Sequence, residues 1–389
     1  MSLFTSPSRI IVTCSNRLSP YLQIEVAALG FKPERIFKTG VELKGTLKDC
    51  IRLNLNLRCA SQVLFSLKEF NADNADDLYK TLIDHPWEDI LNVDGYFSIS
   101  SNVDNPTINN SLFANVKVKD AIVDRFRNKT GERPDSGPEI DKTVIHLYWK
   151  ESLAEIFIDT SGETLSKHGY RKIPGKAPML ESLAAATLLA TKWDRQSTFI
   201  NPMCGSGTVA IEALLLATNR KPGLLRFNYA FMHLVGYTEE MYNAEFKKLE
   251  EQVIEVPGLK VIATDISEDA VNISKVNAGI AGVEEFIEFA VCDFEETNIP
   301  EGENGIIYFN PEYGDRMGLE AELEITYGRI GDFLKKKCKG YFGYIFTGNL
   351  ELAKKIGLKP NRRIEFYTSK IDCRLLEYEL YSGTKRVDK

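Results

Sequence analysis

The chain contains a glycine-rich stretch whose residue types and spacing suit the binding of a small ligand. It reads Asn201-Pro-Met-Cys-Gly-Ser-Gly-Thr208, between a segment predicted as a strand (197–200) and a helical pattern (209–218). A strand, a glycine turn and a helix together direct backbone N–H groups and the helix N-terminus at a ligand. Gly205 and Gly207 carry no side chains, so a cofactor can approach the backbone there. The turn alone leaves the ligand open, because it also fits the dinucleotide fingerprint and occurs in proteins without any ligand.

A second stretch has the residues that methyl transfer to an amino group needs. The predicted strand Gly305-Ile-Ile-Tyr-Phe309 runs directly into Asn310-Pro-Glu-Tyr313. The side-chain oxygen of Asn310 and the carbonyl of Pro311 are acceptors that can hold both hydrogens of an exocyclic amine, which turns its lone pair towards a sulfonium methyl group. Tyr313 offers a ring on which a base can stack. An isolated Asn-Pro pair is usually only a turn, so this prediction depends on the other strand ends.

Asp265 ends the predicted strand that follows the glycine turn in the chain. An acid at this strand end is placed to accept hydrogen bonds from two ribose hydroxyls, and the alternative is an N-cap for the helix that begins near Ser267. Asp265 lies 58 residues beyond Gly207, whereas the ribose acid of a nicotinamide-binding domain follows the glycines by about 20 residues. The spacing therefore disfavours a nicotinamide cofactor.

Asp293 follows the next predicted strand (286–291). It is placed to accept a hydrogen bond from an adenine amino group, with Phe294 or Ile266 beside the ring, and the alternative is an ordinary loop aspartate. Four strand-end signals in this order, a glycine turn, two acids and an Asn-Pro pair, favour a methyltransferase site over chance.

The overall composition limits the class of protein. With 389 residues the chain exceeds one ordinary core, which predicts two or three domains. No run approaches the roughly 18 to 20 apolar residues of a membrane span, and the start lacks a signal-peptide pattern, so we expect a cytoplasmic protein that does not enter a membrane. The 7 cysteines form no CxxC pair and the 4 histidines are scattered, so we expect neither disulfides nor a metal site.

Basic residues are concentrated in two segments although the net charge is −7. From 117 to 133 six basic residues stand against three acidic ones, and from 167 to 176 there are four basic residues and no acidic one. A chain polarised in this way can present a basic face to nucleic acid. A solvated charged surface is the alternative for either segment.

The predicted elements divide the chain into three parts. Mixed strands and helices with antiparallel pairs indicate a small α+β unit, followed by a second one with a hairpin at 144–159. After a linker at 173–178, β and α segments alternate to the end, which is the pattern of a doubly wound sheet. A charged amphipathic helix, predicted from 238 to about 253, is inserted after the glycine turn.

Several segments carry a resemblance to known families. Asn115-Val-Lys-Val-Lys-Asp-Ala-Ile-Val-Asp124, the hairpin and Leu165-Ser-Lys-His-Gly-Tyr-Arg171 resemble the THUMP module of RNA-modifying enzymes. The four strand-end signals are similar in order to those of class I S-adenosylmethionine-dependent methyltransferases. The stretch 201–218, Arg220-Lys-Pro-Gly-Leu224 and Asn310-Pro-Glu-Tyr-Gly-Asp-Arg316 resemble the bacterial THUMP-containing guanine-N2 methyltransferases of large-subunit (23S) ribosomal RNA. The resemblance runs from about residue 10 to Glu379 and does not extend to the second methyltransferase domain of some relatives.

This resemblance implies a ferredoxin-like region at 1–55, a THUMP RNA-binding domain at 56–164 and a Rossmann-like methyltransferase domain at 165–389. It implies S-adenosyl-L-methionine as the cofactor and guanine N2 in 23S rRNA as the target. The implied cofactor-binding residues are Asn201, Pro202, Gly205, Gly207, Thr208, Asp265, Ile266, Asp293 and Phe294. The implied catalytic residues are Asn310, Pro311 and Tyr313. The predicted RNA-binding residues of the basic segments are Lys117, Lys119, Arg125, Arg127, Lys167, Arg171 and Lys172.

Two positions depart from the family pattern. Asn201 stands where many relatives have Asp, and Glu312 stands where most have Pro. Glu312 either reads the donor edge of guanine or points to solvent. The alternative functions are methylation of another amino group, such as tRNA guanine N2 or adenine N6, and a non-catalytic RNA-binding role in assembly.

Overall fold

The computed structural model describes residues 3–173, 178–301, 304–313, 320–368 and 371–381. Contacts divide the chain into two compact units. Unit 1 comprises Met1–Cys14, Leu22–Leu165 and Pro222–Glu251, and unit 2 comprises Ser15–Tyr21, Ser166–Lys221 and Gln252–Lys389.

Strands and helices alternate along the described residues. The strands are β1 (Ser8–Thr13), β2 (Arg35–Phe37), β3 (Gly40–Gly45), β4 (Gln62–Asn71), β5 (Tyr96–Asp104), β6 (Asp135–Ser136), β7 (Thr143–Lys150), β8 (Leu153–Asp159), β9 (Thr198–Pro202), β10 (Val261–Asp265), β11 (Ile287–Val291), β12 (Gly305–Phe309), β13 (Phe342–Thr347), β14 (Arg362–Thr368) and β15 (Ile371–Glu379). The α-helices are α1 (Ser19–Ala28), α2 (Leu47–Asn56), α3 (Ala75–Ile83), α4 (Ser111–Thr130), α5 (Glu181–Ala190), α6 (Thr208–Ala217), α7 (Glu239–Glu251), α8 (Glu268–Ala281), α9 (Glu320–Lys337) and α10 (Leu350–Lys355).

Unit 1 is built on one sheet in the order β2-β3-β1-β4-β8-β7-β5-β6. Strand β4 pairs antiparallel with β1 on one side and with β8 on the other, so the two α+β parts expected from the sequence share a single sheet. β7 and β8 form the predicted antiparallel hairpin. The residue boundaries of the predicted domains stay predictions.

The inserted helix α7 belongs to unit 1 although it lies between two strands of unit 2 in the sequence. The ring centroids of Phe227 and Phe246 are 6.3 Å apart. Asn56 at the end of α2 donates to the Glu245 carboxylate at 3.4 Å. These contacts hold segment 222–251 against α2, so its place in the fold is decided by packing rather than by its neighbours in the chain.

Unit 2 contains a sheet in the order β11-β10-β9-β12-β13-β15-β14. The first five strands are parallel, and β15 runs antiparallel to both β13 and β14. All residues of β9 and β12 are buried, as expected for central strands covered on both faces. The prediction of a doubly wound sheet in the C-terminal part is confirmed.

Helix α9 packs on this sheet through an aromatic cluster. Phe309 at the end of β12 packs against Phe294 and Phe333. The centroids of each pair of these three rings are 5.7 to 6.1 Å apart, and the rings are nearly perpendicular. Tyr327 and Leu334 of the same helix are fully buried. Edge-to-face packing of this kind favours one helix position over its alternatives, so α9 is a fixed support for the residues it carries.

Two glycines of α9 give a matched test of this packing. A Cβ on Gly331 would lie 1.8 Å from the carbonyl oxygen of Ile356, whereas a Cβ on Gly328 would meet its nearest neighbour at 3.9 Å. We expect Gly331→Ala to lower the free energy of unfolding by about 1 to 3 kcal/mol through overpacking. Gly328→Ala should raise it by up to about 1 kcal/mol, because alanine favours helix. Urea denaturation measures both, and equal effects would contradict the close approach of α9 to Ile356.

Candidate active site

The predicted cofactor-binding and catalytic residues lie at the carboxyl edge of four neighbouring parallel strands, in the order β11-β10-β9-β12. β9 pairs with β10 on one side and with β12 on the other. The chain runs from β9 through β10 to β11 on one side and then returns to β12 on the other side of β9, and ligands of open α/β sheets bind at such a switch point. The glycine turn follows β9, Asp265 ends β10 and Asn310 follows β12, so the fold brings together the strand ends that the sequence predicts.

The turn after β9 has an unusual backbone. Met203, Gly205 and Gly207 all have left-handed conformations, with φ values of 59°, 56° and 81°. For a bulky residue such as Met203 this conformation is strained, and strain of this kind is concentrated at functional sites. Cys204 N donates to Thr264 O at 2.9 Å, which ties the turn to β10.

The two glycines have different surroundings. A Cβ on Gly207 would lie 2.5 Å from Ser274 Oγ in α8, whereas a Cβ on Gly205 would meet no atom within 4 Å. Gly207 therefore permits α6, which begins at Thr208, to pack closely on α8. Gly205 instead borders open space at the start of α6, where a ligand can approach the backbone.

Asp265 links the glycine turn to the helix that follows β10. One carboxylate oxygen accepts from Gly205 N at 2.9 Å and the other accepts from Ser267 N at 3.0 Å. Ser267 caps α8 by accepting from Ala270 N, so the reading of Asp265 as the helix cap is wrong. Ile266 beside it is 73% exposed and presents an apolar surface at this edge.

Asp293 is held by a residue that the sequence did not predict. Its Oδ1 accepts from Arg329 of α9 at 2.8 Å and from Glu295 N at 3.0 Å. Burial opposes ionisation, but these two bonds lower the pKa of Asp293 below its usual range. Phe294 is buried in the aromatic cluster under α9, whereas Ile266 after β10 and Val291 at the end of β11 are exposed.

Asn201 lies at the centre of the site and is 1% exposed. Its amide nitrogen donates to Tyr308 O at 2.8 Å, so β9 is tied to β12 by a side chain as well as by the ladder. Its Oδ1 is buried and has no hydrogen-bond partner in the described part of the chain. A buried amide oxygen without a partner costs about 1 to 3 kcal/mol, which marks Asn201 as a candidate acceptor for a ligand donor.

Asn310 also has a buried Oδ1 without a hydrogen-bond partner among the described residues. Pro311 is buried and the Glu312 side chain is exposed. Tyr327 Oη of α9 donates to the Glu312 carbonyl at 3.4 Å, which helps to hold the backbone of this motif in place. The remainder of the predicted motif, residues 314–316, lies outside the described residues.

The Tyr313 ring is positioned by a glycine. A Cβ on Gly348 would lie 2.9 Å from two carbons of this ring, and the Phe346 ring centroid is 6.3 Å away. Burial raises the pKa of the Tyr313 phenol, so the group stays protonated at neutral pH. Tyr313 therefore presents a neutral ring rather than a base.

The predicted RNA-binding residues have different surroundings. In unit 1, Arg125 donates to both oxygens of Glu88 at 2.8 and 3.1 Å, and this pairing lowers the pKa of Glu88 to about 2. Lys117 pairs with Asp76 at 3.6 Å. Lys119 and Arg127 are more exposed, at 38% and 56%.

In unit 2, the basic segment 167–176 also contains both exposed residues and a nearly buried one. Lys167 and Lys172 are exposed. Arg171 has a side chain only 9% exposed, which donates to Met179 O at 2.7 Å and to Glu181 at 2.8 Å. Its guanidinium is therefore committed to partners inside the unit. Lys176, also in this basic segment, lies outside the described residues.

The described residues contain no group of three or more His, Cys, Asp and Glu side chains arranged to hold a metal ion. In the same part of the chain, no helix is both long and apolar enough to cross a membrane.

The sheet order and the strand-end side chains define a doubly wound domain of the methyltransferase class. Residues 168–377 match the family model described as RMKL-like, methyltransferase domain. The chain belongs to this family. Residues 9–64 match the RlmL ferredoxin-like domain and residues 72–159 match the THUMP domain.

Curated relatives share sequence with nearly the whole chain. Ribosomal RNA large subunit methyltransferase K/L of Syntrophotalea carbinolica is 32% identical over 386 residues, which cover 96% of this chain and 54% of that protein. The protein of the same name from Psychromonas ingrahamii is 34% identical over 370 residues, or 93% and 49% of the two chains. The chain thus spans about half the length of these relatives.

Solved structures share the fold. SMU.472 complexed with SAH has a TM-score of 0.87 at 24% identity, covering 98% of this chain and 100% of the other. A protein of Listeria monocytogenes str. 4b F2365, named as a predicted N6-adenine-specific DNA methylase, has a TM-score of 0.86 at 28% identity, covering 96% and 97%.

The two turn glycines should differ in their effect on stability. Alanine in a left-handed conformation costs about 1 to 2 kcal/mol, and this applies to both Gly205→Ala and Gly207→Ala. Only Gly207→Ala adds the contact with Ser274, so we expect it to lose clearly more stability. Thermal unfolding without ligand measures the difference, and equal losses would contradict the packing role of Gly207.

Proposed function

We propose that this protein is an S-adenosylmethionine-dependent RNA methyltransferase that acts on guanine N2 of large-subunit ribosomal RNA. The observation that carries the proposal is the buried Oδ1 of Asn310, directly after β12, which has no hydrogen-bond partner among the residues that the structure describes. A buried acceptor of this kind is ready for a donor that arrives with the substrate. The names of the curated relatives support the ribosomal RNA target.

The residues at the strand ends fit the cofactor. Gly205 leaves the start of α6 open, and Asn201 Oδ1 is a buried acceptor suited to the ammonium of the methionine portion. We assign Asp265 to the ribose hydroxyls and Asp293 to the adenine amino group, with Ile266 beside the ring. Pro202 and Thr208 complete the cofactor set by their places at the two ends of the turn. SMU.472, which shares the fold, is complexed with SAH.

The reaction requires the exocyclic amine of the base to be fixed in position, and this chain supplies hydrogen-bond acceptors that can do so. S-adenosylmethionine, when bound, supplies an electrophilic methyl group on a sulfonium. Asn310 Oδ1 and the Pro311 carbonyl accept the two hydrogens of the exocyclic amine, which turns its lone pair away from the ring. The neutral ring of Tyr313 stacks on the flipped base. Asp265 helps to fix the glycine turn by accepting from Gly205 N.

RNA binding is assigned to the N-terminal regions and to the basic segment 167–176 at the start of the methyltransferase domain. Among the predicted residues, Lys119, Arg127, Lys167 and Lys172 are exposed enough to meet phosphates. Arg125 and Arg171 are paired with Glu88 and Glu181, so we give them a structural role. We take 1–55, 56–164 and 165–389 as the domain boundaries. We propose the cytoplasm as the location, in line with the ribosomal RNA methyltransferase names of the curated relatives.

One observation favours a second target. The Listeria protein of 28% identity is named as a predicted N6-adenine-specific DNA methylase, and acceptors for an amine do not by themselves distinguish guanine N2 from adenine N6. Incubating the protein with methyl-labelled S-adenosylmethionine and rRNA, tRNA or DNA, followed by mass spectrometry of the nucleosides, separates the candidates. N2-methylguanosine from 23S rRNA is expected. Label in adenine would show that the protein methylates adenine N6 instead. If neither rRNA, tRNA nor DNA is labelled, the non-catalytic role in assembly would be supported.

Asn310 and Glu312 give a matched comparison at the target base. Asn310→Ala removes the buried acceptor, so we expect kcat to fall by roughly 10²-fold while SAH affinity stays within about twofold. Glu312→Gln changes an exposed side chain and should leave kcat within a few-fold. Single-turnover methyl transfer and calorimetry measure the two quantities. If Glu312→Gln loses activity as Asn310→Ala does, the carboxylate reads the base.

Salt dependence tests the assigned RNA contacts. The pairs Lys119→Gln/Arg127→Gln and Lys167→Gln/Lys172→Gln should each reduce the slope of log affinity against log salt by about 1.4, at roughly 0.7 per phosphate contact on single strands. Lys336→Gln/Lys354→Gln removes the same charge elsewhere on unit 2 and is the control. Equal slopes for all three pairs in a filter-binding titration would show that these cations do not touch phosphates.

A further inference from the structure

We propose that Arg329 is a positioning residue that orients the Asp293 carboxylate towards the adenine amino group and thereby sets the purine selectivity of the cofactor site. The inference rests on the proposed function, in which Asp293 is the adenine acceptor. It adds a residue 36 positions further along the chain, on a different element.

The hydrogen bonds around Asp293 are asymmetric. Arg329 Nη2 donates to Oδ1 at 2.8 Å, and Glu295 N donates to the same oxygen at 3.0 Å. Within the described part of the chain, no hydrogen bond is made to Oδ2. Two donors on one oxygen fix the plane of the carboxylate before any ligand arrives. The second oxygen is thus left to accept from a ligand N–H.

Arg329 is itself held on three sides. Its Nε and Nη2 donate to Glu295 Oε2 at 3.2 and 2.7 Å, and its guanidinium carbon lies 4.9 Å from the ring centroid of Phe294. Phe294 is fixed in the aromatic cluster with Phe309 and Phe333. Lys337 donates to Glu295 O at 2.6 Å and attaches the end of α9 to the same loop. A planar guanidinium with several donors suits this arrangement better than a lysine ammonium does.

This geometry affects selectivity more than general affinity. The adenine amino group is a donor, so it gains from an acceptor only when the acceptor points at it. A purine with hydrogen in place of the amino group makes no such bond and gains nothing from the orientation of Asp293. Without Arg329 the partly exposed carboxylate, 26% accessible, can rotate towards water. The preference for an amino purine should then be lost.

The test compares two ligands by calorimetry: SAH, and the SAH analogue with hydrogen in place of the 6-amino group. We expect the full chain to favour SAH by about tenfold or more, the size of one charge-assisted hydrogen bond. Arg329→Gln should reduce this ratio to within about threefold, with the loss falling on SAH. Lys336→Gln, on the same helix and paired with Asp332 at 3.2 Å, should keep the full ratio. Unchanged melting temperature and circular dichroism verify the fold of each variant.

Asp293→Ala separates failure of this inference from failure of the proposed function. If Asp293→Ala abolishes the ratio and Arg329→Gln does not, Asp293 is the acceptor and the positioning role of Arg329 is refuted. If Arg329→Gln weakens both ligands equally, Arg329 is only structural, and the inference is again refuted. If Asp293→Ala keeps the ratio, the assignment of the adenine site falls, and the inference with it. The double variant should show no further loss beyond Asp293→Ala.

Discussion

The parallel pairing of β9 on both of its edges is the constraint on which the site depends. Asn201 lies opposite Ala263 of β10, and Ile200 lies opposite Ile307 of β12. Since the central strands are buried on both faces, a shift in register would bury different side chains at different depths and is strongly disfavoured. The fixed register brings three strand ends to one edge of the sheet, and each carries a polar residue there.

The site holds buried polar atoms that the described protein does not satisfy. The oxygens of Asn201 and Asn310 each forgo a hydrogen bond, at about 1 to 3 kcal/mol apiece, and Met203 is held in a left-handed conformation. Departures of this kind from local preference are expected where function requires them and where the surrounding core is strong enough to maintain them. The aromatic cluster of α9 and the buried central strands supply that strength.

Helix α9 contacts the loops that follow two of the parallel strands, β11 and β12. Tyr327 donates to the carbonyl of Glu312 beside the proposed target base, and two residues later Arg329 donates to Asp293 beside the proposed adenine. Two residues advance the direction of a helix by about 200°, so the side chains leave the helix on opposite sides. One helix therefore holds both loops in place, as the proposed in-line transfer between cofactor and base requires.

The sequence by itself determined the parts of this protein that are encoded in contiguous residues. These are the strand–turn–helix around Gly205 and Gly207, the strand that ends at Asn310, the β7–β8 hairpin and the alternation that builds the doubly wound sheet. A local sequence pattern is enough to predict these elements, because the spacing of apolar residues and the preferences of turn residues act over only a few positions. Only the tertiary structure decided which charges are already neutralised: Arg125 by Glu88, 37 residues away, and Arg171 by Glu181. It also decided that segment 222–251 packs in unit 1, and that Arg329 donates to Asp293, because contacts between distant residues follow from how whole elements pack.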